Sequence, residues 1–158
     1  MSAIFNKIML TLDGSDFAAQ AAPQAAAIAK QFGCELVLYT SIENPSNHAQ
    51  SLPLMDSDRK TLEEGIERHK HATADHAAHD MADFARTLDV PPAQIRLQVD
   101  AANNPAESVV TFATKHDIDL IVMCTHGRGG LKRRLRGSVA ESVLHHAPCP
   151  VMLVRAAQ

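Results

Sequence analysis

Five short segments rich in apolar residues recur along the chain, and each is bounded by turn-forming or polar residues. They are Ile8–Leu12, Glu35–Thr40, Gln94–Val99, Asp119–Cys124 and Pro150–Arg155. Short apolar runs of this length, closed by turn residues, are typical of strands buried inside a sheet. The pattern therefore predicts five strands.

Between these strands, apolar residues recur at intervals of three or four, which is the period of an amphipathic helix. The first such segment is rich in alanine, runs from Phe17 to Phe32 and reaches Gly33, a common helix-terminating residue. Pro23 either kinks this helix or marks its true first turn. Further helices are predicted over roughly residues 60–88, from residue 104 onward and over roughly residues 138–146.

The alternation of strands and helices predicts the α/β class. We expect a single open, doubly wound, five-stranded parallel sheet of Rossmann-like type with helices on both faces. A chain of 158 residues accommodates one domain, residues 1–158, with a proper core. Residues 41–59 lack a clear period and contain Pro45 and Pro53, so we expect a mobile loop there.

Composition excludes several classes of protein. The net charge is −3, whereas dedicated nucleic-acid and membrane-surface binders are usually basic, so neither partner is predicted. Three widely separated cysteines without a Cys-x-x-Cys pair predict reduced thiols and a cytoplasmic location. The apolar stretch at residues 4–12 is interrupted by Asn6 and Lys7, so it predicts neither a signal peptide nor a membrane span.

The segment from Cys124 to Ser138 carries the candidate chemistry, because it leaves a buried strand, enters a helix and is rich in glycine and arginine. Ligands of open α/β sheets bind beyond the carboxyl ends of strands, and a helix N-terminus favours an anion. Glycines let the backbone approach a phosphate, and Arg128 can neutralise its charge. The same segment also fits a structural strand-to-helix turn, with Ser138 and Glu141 as a capping box. The basic run at residues 132–136 is short and lacks interleaved aromatic residues, so nucleic-acid binding is the less favoured interpretation.

Several motifs resemble the universal stress protein family over essentially the whole chain. They are Ile8–Ser15, His126–Leu131, Gly137–Glu141 and His146–Val154. The ATP-binding members carry Gly-x2-Gly-x9-Gly-Ser/Thr; here Gly127, Gly137 and Ser138 keep that spacing and Cys124 replaces the first glycine. The resemblance implies an adenine nucleotide α-hydrolase-like fold that binds ATP, ADP or AMP, with or without Mg²⁺.

The resemblance also implies roles for individual residues. Asp13 would accept hydrogen bonds from adenine or ribose, Thr40 and Met123 would line the base pocket, and main-chain amides near Gly127 would surround the phosphates. The full predicted binding set is Leu12, Asp13, Thr40, Met123, Cys124, His126, Gly127, Arg128, Gly130, Gly137, Ser138, Val139 and Ala140. Asp13 can alternatively act as the N-cap of the first helix. A homodimer through the last strand, with Val151 and Leu153 at the interface, is implied as well.

Four histidines, His69, His71, His76 and His79, crowd one predicted helix. Two imidazoles with Asp80 form a possible Zn²⁺ ligand set. His69 and His76 are separated by about 10 Å at 1.5 Å per residue, which is too far for one metal without another element. The sequence therefore favours a solvated helix face.

No residue has the pattern of a dedicated catalytic base, so an enzyme activity is not predicted. The favoured hypothesis is an adenine-nucleotide-binding stress-response protein in which the nucleotide is a regulatory ligand. One alternative is a dimeric interaction protein whose pocket is empty because Cys124 has displaced the first glycine. Another is a slow ATP hydrolase supported by Asp13, His126 and Arg128.

Overall fold

The computed structural model describes residues 4–44, 55–125 and 139–155. Within them, five parallel strands form one sheet in the order β3-β2-β1-β4-β5. The strands are β1 (Lys7–Thr11), β2 (Glu35–Glu43), β3 (Ile95–Ala102), β4 (Leu120–Cys124) and β5 (Val151–Val154). The predicted α/β fold with a five-stranded parallel sheet is therefore confirmed.

The helices in the described ranges are α1 (Asp16–Ala19), α2 (Ala22–Phe32), α3 (Asp56–Ala85), α4 (Pro105–Lys115) and α5 (Val139–His146), with a 3-10 turn at Pro92–Gln94. The single helix predicted over residues 17–32 is thus two helices. Pro23 lies in the first turn of α2, where no intrahelical N–H is required, so it marks a helix start and not a kink. Gly33 ends α2 in the left-handed conformation (φ 62°), and its amide donates to the carbonyl of Ala29.

The loop predicted over residues 41–59 is shorter than expected, because both neighbouring elements extend into it. Strand β2 continues to Glu43 through pairing of Ser41, Ile42 and Glu43 with the last three residues of β3. Helix α3 already begins at Asp56. The sequence did not predict that β2 extends over residues 41–43, because they do not form an apolar run and their pairing depends on the neighbouring strand β3. Residues 45–54 lie outside the described part of the chain.

Side chains alternate between two core layers along each strand, as the period of two requires. Ile8 and Leu10 of β1 face a layer closed by the alanines of α2 and by Met81 of α3. Met9 between them faces a layer built with α4 and α5, which includes Phe112 and Val143. All three β1 side chains are fully buried. The helices thus cover both faces, as the sequence predicts.

Candidate functional site

The order of the strands creates a crevice at the carboxyl edge of the sheet. Strand β1 is central: the chain passes from it to β2 and β3 on one side, whereas β4 and β5 lie on its other side. Ligands of open α/β sheets bind where the strand order reverses in this way. Leu12 and Asp13 follow β1 and Cys124 ends β4, so the structure brings these predicted site residues to the same edge.

Asp13 organises the turn that leaves β1. Its Oδ1 accepts a hydrogen bond from the Ser15 amide at 2.9 Å and another from the Ser15 hydroxyl. Gly14 between them has a φ of 75°, which glycine adopts without strain. Ser15 Oγ in turn accepts a hydrogen bond from the Ala18 amide at 3.2 Å. Ser15 therefore caps α1, and the alternative role of Asp13 as that helix's N-cap is wrong.

The remaining oxygen of the Asp13 carboxylate is available to a ligand. The side chain is exposed, and Oδ2 has no hydrogen-bond partner among the residues that the structure describes. The turn thus fixes the carboxyl group through Oδ1 and leaves one acceptor oxygen at the edge of the sheet. A fixed acceptor of this kind suits the hydroxyl or amino donors of a nucleoside.

Thr40 and Met123 lie on opposite faces of the sheet. Thr40 follows Leu38 by two residues, so it shares the face covered by α2 and α3, and it is buried. The Met123 side chain is buried in the other layer, with Tyr39 and Ile121. The Met123 side chain therefore lies on the face of the sheet opposite to Thr40.

Cys124, at the position of the family's first glycine, has ordinary strand geometry. It pairs with Val154 and packs, half-buried, against the layer covered by α2 and α3. Among the described residues other than glycine, only Asp117 has a positive φ. A cysteine at position 124 therefore imposes no backbone strain there.

The N-terminus of α5 lies at the same edge as Asp13. Strands β4 and β5 are parallel neighbours, so the helix that connects them runs back across the sheet and starts at its carboxyl edge. Val139 is exposed and Ala140 is half-buried in the first turn. The other members of the predicted binding set that follow β4 lie outside the described ranges; they are His126, Gly127, Arg128, Gly130, Gly137 and Ser138.

Two residues at this edge were missed by the sequence analysis. The Ser15 hydroxyl caps α1 and also donates a hydrogen bond to the Asp13 carboxylate. The Thr125 amide donates to the Val154 carbonyl at 2.9 Å and so joins the ends of β4 and β5. Ser15 follows an Asp-Gly pair, which is a turn signal that could have found it, whereas the Thr125 contact depends on strand order.

Two of the four histidines of α3, His76 and His79, lie beside carboxylates one turn further along the helix. His76 Nε2 lies 3.4 Å from Asp80, and His79 Nε2 lies 3.4 Å from Asp83. All four of these side chains are more than half exposed. Within the described ranges, no three histidine, cysteine, aspartate or glutamate residues come together as a metal site. This arrangement favours the solvated helix face.

All three cysteines lie in described ranges and are free thiols. Burial raises the pKa of the Cys34 thiol and of the Cys149 thiol, which keeps both in the weakly reactive protonated form. None of the helices in the described ranges is both long enough and apolar enough to cross a membrane.

Comparison with known proteins identifies close counterparts of the whole chain. The model of the universal stress protein family matches residues 5–155. A universal stress protein of Methanocaldococcus jannaschii is 35% identical over 96% of this chain and 83% of its own length. One of Thermus aquaticus is 32% identical over 96% of this chain and its full length.

Two solved structures with the same fold contain adenine nucleotides. A universal stress protein in complex with cAMP covers 97% of this chain and 98% of its own, with a TM-score of 0.66 and 20% identity. The Archaeoglobus fulgidus universal stress protein in complex with dAMP covers 95% of this chain and 98% of its own, with a TM-score of 0.58 and 22% identity. At these identities the comparison shows that the fold is shared.

Proposed function

The chain belongs to the universal stress protein family, and on that premise we propose that it binds an adenine nucleotide as a regulatory ligand. The observation that carries the proposal is the Asp13 turn. At the carboxyl edge of β1, beside the switch point of the sheet, it holds one carboxylate oxygen that has no hydrogen-bond partner among the described residues. The start of α5 at the same edge supplies a positive helix end for a phosphate.

The two nucleotide complexes among its structural relatives support an adenosine phosphate as the ligand. The relatives hold cAMP and dAMP, which share adenine, a pentose and one phosphate. In the proposed complex, Asp13 accepts hydrogen bonds from the adenosine moiety, and Thr40 and the main chain of Met123 border the base. The phosphates of AMP, ADP or ATP, with or without Mg²⁺, are then bound at the start of α5, and the expected contacts with main-chain amides near Gly127 fall outside the described residues.

We extend the proposal to a homodimer through the last strand. Strand β5 pairs with β4 and, among the described strands, with no other, so it forms an edge of the sheet. Met152 and Leu153 on this strand are 36% and 38% exposed, which is high for large apolar side chains in a strand. Antiparallel addition of a second copy would pair the free edge and bury these side chains together with Val151. The free thiols fit a cytoplasmic setting for this dimer.

The ligand is tested on freshly purified protein. The protein is denatured, and the released small molecules are separated by ion-exchange chromatography against AMP, ADP, ATP and cAMP standards. In parallel, the thermal midpoint of nucleotide-free protein is measured with ATP and with CTP as a matched control of equal charge. We expect an adenine nucleotide in the released fraction and a rise in midpoint with ATP that CTP does not reproduce.

Two results would contradict the proposal in different ways. Release of no adenine nucleotide, together with equal midpoints in millimolar ATP and without it, would favour the interaction protein with an empty pocket. Mg²⁺-dependent release of phosphate from ATP that is lost in Asp13→Ala would instead favour the hydrolase.

A further inference from the structure

A second polar groove lies on the α4 side of the edge strand β3, away from the crevice between β1 and β4. Its volume is about 470 Å³, which would hold about 15 water molecules at about 30 Å³ each. The residues that line it include Gln98 and Asp100 of β3 and Glu107, Ser108 and Lys115 of α4. Strand β2 separates this groove from β1, so the two candidate sites use different parts of the sheet.

Two neighbours hold the Asp100 carboxylate of this groove in place, and a third positions one of them. The buried Tyr39 hydroxyl donates to Asp100 Oδ2 at 3.0 Å, and Gln98 Nε2 donates to Asp100 Oδ1 at 2.6 Å. Ser108 Oγ lies 2.5 Å from the Tyr39 hydroxyl and donates to it, because the single phenolic proton is used toward Asp100. Burial raises the pKa of Tyr39, so the phenol remains a donor across the physiological range.

This arrangement leaves hydrogen-bonding capacity on Asp100. An ionised carboxylate accepts about four hydrogen bonds, and the protein supplies one to each oxygen. The remaining capacity is available in the groove, on a group that cannot rotate away without breaking two bonds. An acceptor fixed in advance lowers the entropy cost of binding a donor.

The two ends of the groove carry opposite charges. Glu107 lies in the first turn of α4 and lines the groove together with Asp100, and Lys115 is the last residue of that helix. Eight residues separate them, which corresponds to about 12 Å along the helix axis. Neither Glu107 nor Lys115 has an ion-pair partner among the described residues. Both charges are therefore free to meet a ligand.

We propose that this groove binds a small zwitterionic amino compound, whose ammonium group lies at Asp100 and Glu107 and whose acidic group lies at Lys115. A primary ammonium supplies three donors, which matches the free acceptor capacity of the two carboxylates. The opposite charge at the far end of the helix selects a ligand whose acidic group is separated from its ammonium by an extended chain. Binding at this groove does not depend on the nucleotide.

Three chemically matched probes test the proposal: ε-aminocaproate carries both charges, n-hexylammonium carries only the ammonium, and n-hexanoate carries only the carboxylate. Each is titrated into the ¹⁵N-labelled full chain at low salt, and amide shifts are followed by NMR. We expect ε-aminocaproate to perturb amides of residues 98–116 saturably, n-hexylammonium to bind there more weakly, and n-hexanoate to leave them unchanged.

Variants of the full chain assign the binding to individual groups. We expect Asp100→Asn to weaken ε-aminocaproate roughly tenfold, the loss of one charge-assisted interaction. In Lys115→Gln, we expect ε-aminocaproate to bind no more tightly than n-hexylammonium. Glu63→Gln, an exposed acid on α3, is the matched control and leaves binding unchanged. Tyr39→Phe tests positioning: it weakens binding while Asp100 keeps its charge.

Three outcomes would overturn the proposal. One is saturable binding of n-hexanoate at residues 98–116, and another is an equal effect of Asp100→Asn and Glu63→Gln. The third is loss of thermal stability in Asp100→Asn and Lys115→Gln with no binding of any probe to the native chain. That result would mean that these charges stabilise the folded protein, in part through the dipole of α4, and bind no ligand. Because ATP is absent from all titrations, failure here leaves the nucleotide proposal to be judged by its own experiment.

Discussion

Asp13 shapes the turn after β1, whereas Ser15 caps the helix that follows it. The Asp13 carboxylate accepts the Ser15 amide at 2.9 Å, while the Ser15 hydroxyl accepts the Ala18 amide at 3.2 Å and caps α1. Asp13 is therefore not needed to start the helix. The second oxygen of its carboxylate has no hydrogen-bond partner in the part of the chain that the structure describes, so mutation can test ligand binding separately from helix capping.

Asp13→Ala should weaken adenine-nucleotide binding by roughly tenfold or more, because a charge-assisted hydrogen bond contributes about 1.5–3 kcal/mol. Ser15→Ala should instead lower the free energy of unfolding by about 1 kcal/mol through loss of the cap, with little change in affinity. Isothermal titration with ATP and urea denaturation separate the two effects. Equal loss of affinity in both variants would show that the turn, and not the carboxylate, matters to the ligand.

Cys124→Gly should not improve nucleotide binding. Cys124 lies in a regular strand and its φ is not positive, so the glycine relieves no strain. Glycine inside a strand costs about 0.5–1 kcal/mol in conformational entropy, and the free energy of unfolding should fall by at least that amount. Nucleotide titration and urea denaturation of both proteins provide the measurement. Strong binding gained only in the variant would support the empty-pocket alternative.

The Tyr39 phenol should make stability depend on alkaline pH. Burial raises its pKa in the folded protein, whereas the unfolded chain has the ordinary value of about 10. Below about pH 10 the phenol is protonated in both states and its contribution is complete. Above that pH the unfolded state loses its proton first, so the free energy of unfolding falls as pH rises.

Tyr39→Phe should flatten this pH dependence and lower the free energy of unfolding at neutral pH by about 1 kcal/mol, since Asp100 and Ser108 lose a hydrogen-bond partner. Urea denaturation across the alkaline range gives both quantities. The raised pKa values of the Cys34 and Cys149 thiols act with the same sign. Both thiols are present in the native chain and in Tyr39→Phe, so the difference between the two stability-against-pH curves reports the Tyr39 phenol alone. Identical slopes for the two proteins would contradict a raised pKa of Tyr39.

Leu153→Lys should convert the proposed dimer into a monomer. A lysine on an exposed edge strand hinders pairing with a second sheet, and position 153 is 38% exposed on β5. Ile4→Lys is the control, because Ile4 is 72% exposed and lies before β1, not on the edge strand β5. This variant should leave the dimer intact. Sedimentation velocity measures both. A native chain that sediments as a monomer at high concentration, or a Leu153→Lys variant that still dimerises, would exclude this interface.

The strands and the class of the fold could be predicted because apolar runs such as Ile8–Leu10 and Leu120–Met123 are buried on both faces. Boundaries that depend on a neighbouring strand could not. Strand β2 extends over Ser41 and Glu43 only because β3 lies beside it and supplies hydrogen-bond partners. Sequence motifs likewise identified Asp13 and Cys124 as candidate site residues. They did not show that Thr40 and Met123 lie on opposite faces of the sheet.

What the sequence determined by itself is local: the period of each segment, the turn at Asp13-Gly14 and the motifs that resemble the family. Only the tertiary structure decided that Cys124 pairs with Val154 and packs, half-buried, against the layer covered by α2 and α3. It also brought Tyr39, Asp100 and Ser108 together from three separate elements. Contacts between residues more than 60 positions apart depend on how strands are ordered and paired, and no local period encodes that order.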